Sequence, residues 1–290
     1  MRNRMKMVAV SATVLSAATL GSVALAVQGG TGGNNAASAG VVPTQEAIGG
    51  GTSDVGPAGA LAAISPQGAN TVVYRVLTTP PSATVVSSPT VHLSGLARQP
   101  GTRNYFASGG MTDGGNLYQL TGSGVLMIGA SGFGAVSGLT WNPAGTTLYG
   151  TTTVSILADG LITLNPLTGA GTLVGPMGGG IGGIDSLGFD PVTNTMFGST
   201  GFFFDGSPGD EIVINPATGA ASKTGVMSPT PTCTVAGMGF SNTGTGYISI
   251  GCGPGSGGNI YSWNPTTNAI SLIINASSGA GSVSGVDVVR

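Results

Sequence analysis

A seven-residue phrase recurs five times along this chain of 290 residues. Its copies are SGLARQP at 94–100, SGLTWNP at 137–143, DSLGFDP at 185–191, AGMGFSN at 236–242 and SGVDVVR at 284–290. Successive copies lie 43, 48, 51 and 48 residues apart, which is the length of a four-stranded propeller blade. The spacing therefore predicts a repeated β-sheet architecture.

Each repeat contains four short apolar runs separated by turns. In the unit that begins at 137, these runs are Gly138 to Trp141, Thr147 to Thr151, Leu161 to Leu164 and Gly171 to Val174. The turns between them are rich in Asn, which caps its own backbone, Pro, which presets φ, and Gly, which accepts positive φ. Runs that are apolar at consecutive positions, such as Ile212 to Ile214, indicate sheets covered on both faces. The Gly, Ser and Ala content of the opening run is typical of a strand beside a crowded axis.

The two ends of the chain complement each other. Residues 71–87 have the pattern of third and fourth strands without an inner strand, whereas 284–290 form an inner strand without outer partners. Together they predict an all-β propeller of about five four-stranded antiparallel blades, with the chain ends closing one blade. Six blades are an alternative, since residues 60–66 could add a strand. A β-solenoid is a second alternative, although its coils repeat at a shorter period.

The repeat pattern GL-x-F/W-D/N-P, then LYG or MFG, then L-x-x-INP-x-TG-x-x-x-x-VG resembles that of secreted bacterial β-propeller proteins. It is loosely similar to NHL and YVTN-type propellers and to uncharacterised extracellular families. The resemblance covers about 220 residues and is specific for the fold. It implies binding of a ligand or protein on one face of a ring, and it brings no catalytic motif.

Three segments are expected. Residues 1–26 have the pattern of a signal peptide, with Arg2, Arg4 and Lys6 before an apolar run and a small-residue cleavage site at Ala24 to Ala26. An uncleaved membrane anchor is the alternative. Residues 27–59 are rich in Gly, Ala and Ser and read as a flexible tether. Residues 60–290 form the repeat domain, in a protein that is secreted, periplasmic or on the cell surface, without a membrane span after cleavage.

The charge of the chain argues against a nucleic-acid partner. Removing residues 1–26 takes away three of the eight basic residues and none of the ten acidic ones, which leaves a net charge of −5. Proteins that bind nucleic acids need clustered Lys and Arg to neutralise phosphates.

The two cysteines, Cys233 and Cys252, flank a predicted hairpin whose turn is at Asn242 and Thr243. An in-register hairpin places them opposite each other, and in an exported chain this predicts a structural disulfide. Two cysteines alone make a poor zinc site, and no C-x-x-C pair indicates redox catalysis.

One acidic loop is a candidate calcium site. Asp205, Asp210 and Glu211 bring three carboxylates to a Gly-rich segment, and hard oxygen ligands on such a loop can hold calcium. The spacing lacks the D-x-D-x-D-G pattern of an established calcium loop, so a solvated turn is the competing interpretation. No other cofactor is expected.

Two further features have both a functional and a structural interpretation. Phe202, Phe203 and Phe204 are adjacent, so they cannot all point to one sheet face, and an exposed ring could anchor a partner. Burial between blades explains them equally well. His92 is the only histidine, and no G-x-S-x-G motif accompanies it, which favours a surface or strand-edge histidine over a catalytic triad.

These patterns favour an exported, non-enzymatic binding or structural module that presents loops to a protein or glycan at the cell envelope. The irregular insertions 202–211 and Ser228 to Thr232 are the expected contact loops. One alternative is a secreted hydrolase or lyase with Asp185, Asp190 and Asp287 at the central channel. Another is a surface-matrix component.

Overall fold

The computed structural model describes residues 60–67, 69–122, 124–153, 159–201, 208–251, 258–275 and 282–288. Within these ranges the chain forms twenty strands and one turn of 3-10 helix, Met111–Asp113. No helix of the described chain is long enough to cross a bilayer. The predicted signal peptide, 1–26, and tether, 27–59, lie outside the described residues.

The strands form five four-stranded antiparallel sheets, here called blades 1 to 5. From the inside outward, blade 1 contains β20 (Gly285–Val288), β1 (Leu61–Gln67), β2 (Asn70–Thr78) and β3 (Pro81–Ser87). Blade 2 contains β4 (Leu93–Arg98), β5 (Tyr105–Gly109), β6 (Asn116–Thr121) and β7 (Gly124–Ala130). Blade 3 contains β8 (Leu139–Trp141), β9 (Leu148–Thr153), β10 (Asp159–Leu164) and β11 (Gly171–Pro176). Blade 4 contains β12 (Ile184–Asp190), β13 (Thr195–Thr200), β14 (Asp210–Ile214) and β15 (Ala221–Val226). Blade 5 contains β16 (Thr234–Phe240), β17 (Gly246–Gly251), β18 (Asn259–Asn264) and β19 (Ala269–Asn275).

The blades close into a ring. Inner strands contact one another in the order β4, β8, β12, β16, β20 and back to β4. In blade 1, β20 pairs with β1, so that Leu61 lies opposite Val288 and Ile64 lies opposite Gly285. The predicted five-bladed propeller with a composite blade is confirmed, and the six-bladed and solenoid alternatives are wrong. Nearly all of residues 60–66 belong to β1, Leu61–Gln67, but this is the second strand of the composite blade.

The core consists of five apolar clusters, each between two neighbouring blades. Between blades 4 and 5, for example, Phe197 packs edge-on against Trp263 with ring centroids 5.3 Å apart. Middle strands such as β5 are buried throughout, as the consecutive apolar runs predict. Outermost strands are exposed, and Leu173 of β11 retains 55% of its surface. Each blade is therefore buried on both faces except at its outermost strand.

The repeated Asn-Pro turns form as the sequence predicts. The side-chain oxygens of Asn165, Asn215 and Asn264 each accept a hydrogen bond from the backbone N–H two residues later, at 2.8, 2.9 and 2.9 Å. Gly219 closes its turn with φ at 77°, a conformation that glycine adopts without steric cost. These turns join the third and fourth strands of blades 3, 4 and 5.

The axis of the ring is closed at the level of the inner strands. The backbones of Gly237 and Gly285 lie so close that a β-carbon at Gly237 would be 2.6 Å from the Gly285 α-carbon. The remaining void is about 150 Å³ and has no room for a water molecule. The small residues of the opening phrase are thus required by close packing of five strands.

Candidate functional site

The closed axis limits where a ligand can bind. The described residues of all five inner strands line the void, including Leu96, Ser137, Ser186, Met238 and Ser284. A substrate cannot enter this space, so the hypothesis of a hydrolase or lyase with its site inside the channel has no cavity at this level.

Two acidic residues from neighbouring blades lie together where the inner strands begin. Asp159 is the first residue of β10 in blade 3, and Asp185 is the second residue of β12 in blade 4. Asp185 also borders the axial void. The two blades are held together nearby by the Thr151 hydroxyl, which donates to the Ile184 carbonyl oxygen at 2.9 Å.

The backbone of β12 holds the Asp159 carboxylate. The Ile184 N–H donates to Asp159 Oδ2 at 3.1 Å. Asp159 is only 4% exposed, and its other oxygen, Oδ1, is buried without a hydrogen-bond partner among the described residues. Buried polar atoms are normally paired, and this oxygen is one of several in blades 3 and 4 without a partner among the described residues, together with Thr152 Oγ1 and Ser186 Oγ.

Both carboxyl groups resist ionisation. Burial raises the pKa of Asp185 to about 7, and the charge of Asp159 adds to this rise. Burial also raises the pKa of Asp159, and the N–H groups of Ile184 and Gly183 oppose the rise. No basic side chain of the described chain contributes to either shift. Asp185 can therefore take up a proton near neutral pH.

The Asp185 carboxylate lies directly beside Gly201. A β-carbon at Gly201 would overlap the Asp185 carboxylate, and the Gly201 N–H donates to the Gly183 carbonyl oxygen at 2.7 Å. The end of β13 thus leaves room for the Asp185 side chain. Sequence analysis identified Asp185 but missed Asp159, because the two lie in different repeats and only packing of blade 3 on blade 4 joins them.

The other acids of the channel hypothesis lie elsewhere. Asp190 Oδ1 accepts from the Val192 N–H at 2.9 Å and Oδ2 accepts from the Thr193 hydroxyl at 2.6 Å, so Asp190 caps the turn after β12. Asp287 Oδ2 accepts from the Arg98 N–H at 2.6 Å and joins β20 to β4. Asp185 lies near the start of its strand and Asp190 at its end. The structure therefore does not bring the three candidates together.

The predicted calcium loop is only partly described. Asp205 lies outside the described residues. Asp210 pairs with Lys223 at 2.7 Å, and Glu211 accepts a hydrogen bond from the Thr224 hydroxyl. The two described carboxylates of this prediction are consecutive in β14 and have different partners, and Glu211 Oε2 is buried without a hydrogen-bond partner among the described residues. Nothing in the described chain tests whether Asp205 binds calcium.

The remaining predicted residues are at the following places. Phe202, Phe203 and Phe204 lie outside the described residues. His92 is half-buried on the segment that leads into β4. In the Pro-rich insertion, Ser228 bonds to blade 5 through its N–H, which donates to the Asn268 carbonyl oxygen at 2.8 Å. At least one end of the expected contact loop 228–232 is therefore anchored to the ring.

Only one of the two predicted disulfide cysteines lies within the described residues. Cys233 directly precedes β16, and Cys252 lies outside the described residues. Their neighbours Thr234 and Gly251 are paired opposite each other in the β16–β17 hairpin. This register is the one that the disulfide prediction requires, and the disulfide itself stays a prediction.

A cleft of about 420 Å³ opens between blades 4 and 5, a size typical of small-ligand sites. It lies where the inner strands end, on turns 191–194 and 241–245 and the outer strands of blade 5. Half of its described lining residues carry hydroxyl groups: Thr193, Thr243, Thr245, Ser262, Thr266, Thr267 and Ser271. Val192, 62% exposed, adds an apolar surface. Sequence analysis missed this cleft, because its walls come from separate turns.

The described lining of the cleft contains almost no charged side chains. Asp190 is the one ionisable side chain of its described lining, and it is 1% exposed with both oxygens engaged in the turn. No basic group is present there to hold an anion. A neutral, hydroxyl-rich ligand matches this lining best, because hydroxyl and amide groups can both donate and accept hydrogen bonds.

No family model matches the sequence, and neither does any curated protein. Among solved structures, the chain is similar to a structural genomics protein of unknown function from Bacteroides thetaiotaomicron VPI-5482, with a TM-score of 0.49 and 15% identity over 79% of this chain and 64% of that one. The chain thus spans less than two thirds of that protein. It is also similar to a chain of a nidogen/laminin complex, with a TM-score of 0.50 and 11% identity over 81% of this chain and 86% of that one. At such identity, this second likeness shows the fold alone.

Proposed function

We propose that this protein is an exported, non-enzymatic binding module that takes a neutral glycan in the cleft between blades 4 and 5. The observation that carries the proposal is the cleft itself, with a volume of about 420 Å³ and a lining of hydroxyl groups without an available charge. Thr245 and Thr266 line the cleft from two different turns, so a sugar bound there could contact both residues.

The absence of a usable acid–base pair supports binding over hydrolysis. Cleavage of a glycosidic bond ordinarily needs two carboxyl groups on either side of the bond. The described lining of the cleft offers Asp190 alone, and its oxygens are held by Val192 and Thr193. A bound sugar would therefore be retained unchanged.

The export part of the proposal rests on residues 1–26, whose charged start, apolar run and small-residue end are typical of a signal peptide. An envelope location would bring the cleft into contact with surface polysaccharides. The N-terminal sequence of the protein isolated from its producing cells tests this part: a start at Val27 supports export with cleavage, and an intact Met1 contradicts cleavage and favours the uncleaved anchor.

Binding is tested by titrating purified protein with neutral oligosaccharides of the producing organism's envelope and measuring the heat released. Thr266→Ala is a well-matched variant, because Ala217 occupies the equivalent turn position in blade 4. Thr266→Ala and Thr245→Val should each weaken binding several-fold, since each removes a hydroxyl from the cleft.

The control is Thr172→Val, which removes an exposed hydroxyl from β11, away from the cleft. It should bind as the unaltered protein does. Absence of binding to any neutral oligosaccharide, or equal binding by all variants, would overturn the glycan proposal. Turnover of a bound oligosaccharide would overturn the non-enzymatic part.

A further inference from the structure

The outer turn of blade 5 departs from the repeat at its last residue. In blades 3 and 4 the turn between the third and fourth strands ends in a glycine, Gly169 and Gly219, with φ at 78° and 77°. In blade 5 the same position is Asn268, with φ at 57°. Glycine adopts this left-handed conformation without steric cost, whereas a residue with a β-carbon does not. Asparagine at this position therefore needs an interaction that offsets the cost.

The Asn268 side chain makes such an interaction. Its Oδ1 accepts a hydrogen bond from Trp263 Nε1 at 3.2 Å, and its amide lies directly beside Gly225 of β15, where a β-carbon would overlap it. The Asn268 carbonyl oxygen accepts from the Ser228 N–H at 2.8 Å, and the Ser228 carbonyl oxygen accepts from the Ile270 N–H at 2.8 Å. Asn268 is thus held against blade 4 on one side and against Trp263 on the other.

Trp263 supports one wall of the cleft. It lines the cleft together with residues 264–267, the turn that Asn268 ends. The indole also packs against Phe197 and Phe240, with ring centroids 5.3 and 5.6 Å apart. Because Trp263 is only 1% exposed, it supports the turn from beneath and offers little surface to a ligand. A displaced indole would displace the turn that rests on it.

Burial of an indole in this ring does not by itself require a hydrogen-bond acceptor. Trp141 is 4% exposed and packs against Phe106 with ring centroids 5.4 Å apart. Its Nε1 has no hydrogen-bond partner among the described residues. The acceptor that Asn268 offers to Trp263 therefore has a role beyond burial, and the position of the cleft directly above this indole accounts for it.

We infer that Asn268 is a positioning residue for ligand binding, because it holds Trp263 and the turn 264–267 in the arrangement that shapes the cleft. The inference deepens the proposed function and rests on it, since Thr266 of this turn is one of the residues that a neutral glycan would contact. Asn268 is not part of the described cleft lining, so it acts through its neighbours. Glycine at this position would keep the turn and remove only the hydrogen bond, which makes Asn268→Gly the informative substitution.

The first test uses the protein without a ligand. With Trp141→Phe, Trp263 is the only tryptophan, so its fluorescence emission and its quenching by acrylamide report on this indole alone. In that background Asn268→Gly should move the emission to longer wavelength and increase the quenching, because the indole is no longer held. Asn268→Asp keeps an oxygen acceptor and should leave both unchanged. Unchanged emission and quenching in Asn268→Gly would overturn the inference.

The second test repeats the titration with neutral oligosaccharides of the envelope. Asn268→Gly should weaken binding by about threefold to tenfold, and Asn268→Asp should retain most of the affinity. The unfolding temperature of Asn268→Gly should change little, because glycine relieves the backbone strain while the hydrogen bond is lost. The control is Asn215→Ala, which removes the corresponding turn cap in blade 4, away from the cleft. It should lower the unfolding temperature and leave the affinity unchanged.

Failure of the glycan proposal and failure of this inference give different results. If the unaltered protein binds no neutral oligosaccharide, the glycan proposal is wrong, and the emission of Trp263 still decides whether Asn268 positions the indole. If the unaltered protein binds and Asn268→Gly binds equally well, the glycan proposal stands and the positioning role is wrong.

Discussion

A β-carbon added to Gly219 would lie 2.5 Å from the carbonyl oxygen of Gly175. Gly219 closes the outer turn of blade 4, and Gly175 ends the outer strand of blade 3. The same contact joins Gly129 of blade 2 to Gly169 of blade 3. The glycine near the end of one outer strand and the TG glycine of the next blade's outer turn are thus two halves of one contact between neighbouring blades.

This contact predicts that Gly175→Ala is destabilising. Its added methyl group would overlap the Thr218 carbonyl oxygen, and φ at Gly175 is not in the left-handed region, so the effect comes from crowding alone. We expect a loss of about 1–3 kcal/mol in the free energy of unfolding, measured by urea denaturation. The control is Gly134→Ala, where a β-carbon would meet open space; equal stability of the two variants would contradict the packing argument.

The Thr151 hydroxyl predicts a second stability effect. It accepts from the Gly138 N–H at 2.7 Å and donates to the Ile184 carbonyl oxygen at 2.9 Å, so it joins two strands of blade 3 to blade 4. Thr151→Val keeps the shape but leaves both backbone groups without this partner, which should cost about 1–3 kcal/mol. Thr172→Val, at an exposed position, should change the unfolding free energy little.

The acidic junction predicts a pH dependence of stability in the absence of metal. Because the pKa of Asp185 is raised to about 7 in the folded protein, above that of an unfolded Asp, the folded state binds the proton more tightly. This contribution is fully present below the unfolded pKa and is lost as the pH rises through about 7. Urea midpoints measured in chelator between about pH 5 and pH 8 should fall with pH. The fall should be smaller in Asp185→Asn, and an identical slope would show that Asp185 is not its cause.

Cys233 and Cys252 should form a disulfide that clamps the blade 5 hairpin, since Thr234 and Gly251 beside them are in register. Replacing both by Ser should lower the unfolding free energy by about 2–4 kcal/mol. Thiol counting on the denatured, unreduced protein provides the direct check. Two free thiols in protein kept from reductant would disprove the bond.

The composite blade predicts a requirement for the last strand. Val286 of β20 is fully buried, and β20 alone covers the inner edge of β1 through the pairs Leu61 with Val288 and Ile64 with Gly285. A chain that stops after residue 283 should lose cooperative unfolding, because an unpaired edge then opens the ring. Calorimetry checks this. Stopping after Val288 is the control, and a truncated chain that unfolds as sharply as this control would refute ring closure by β20.

Sequence analysis located the repeat, the strands and the composite blade correctly because these depend on local patterns. In the unit from 137, the predicted run Leu161 to Leu164 lies within β10, and the predicted run Gly171 to Val174 lies within β11. The three acidic residues predicted for the channel, in contrast, do not form one site. Asp185, Asp190 and Asp287 share an apparent inner-strand position, yet one borders the junction with blade 3, one caps a turn and one bonds to Arg98.

What the sequence alone determined is therefore the five-bladed architecture, since spacing, turn residues and strand periodicity are properties of neighbouring residues. Tertiary structure decided which side chains meet. Asp159 and Asp185 lie in different repeats, and the cleft between blades 4 and 5 is lined by turns of both blades. Contacts of this kind depend on how one twisted sheet packs on the next, which no local pattern encodes.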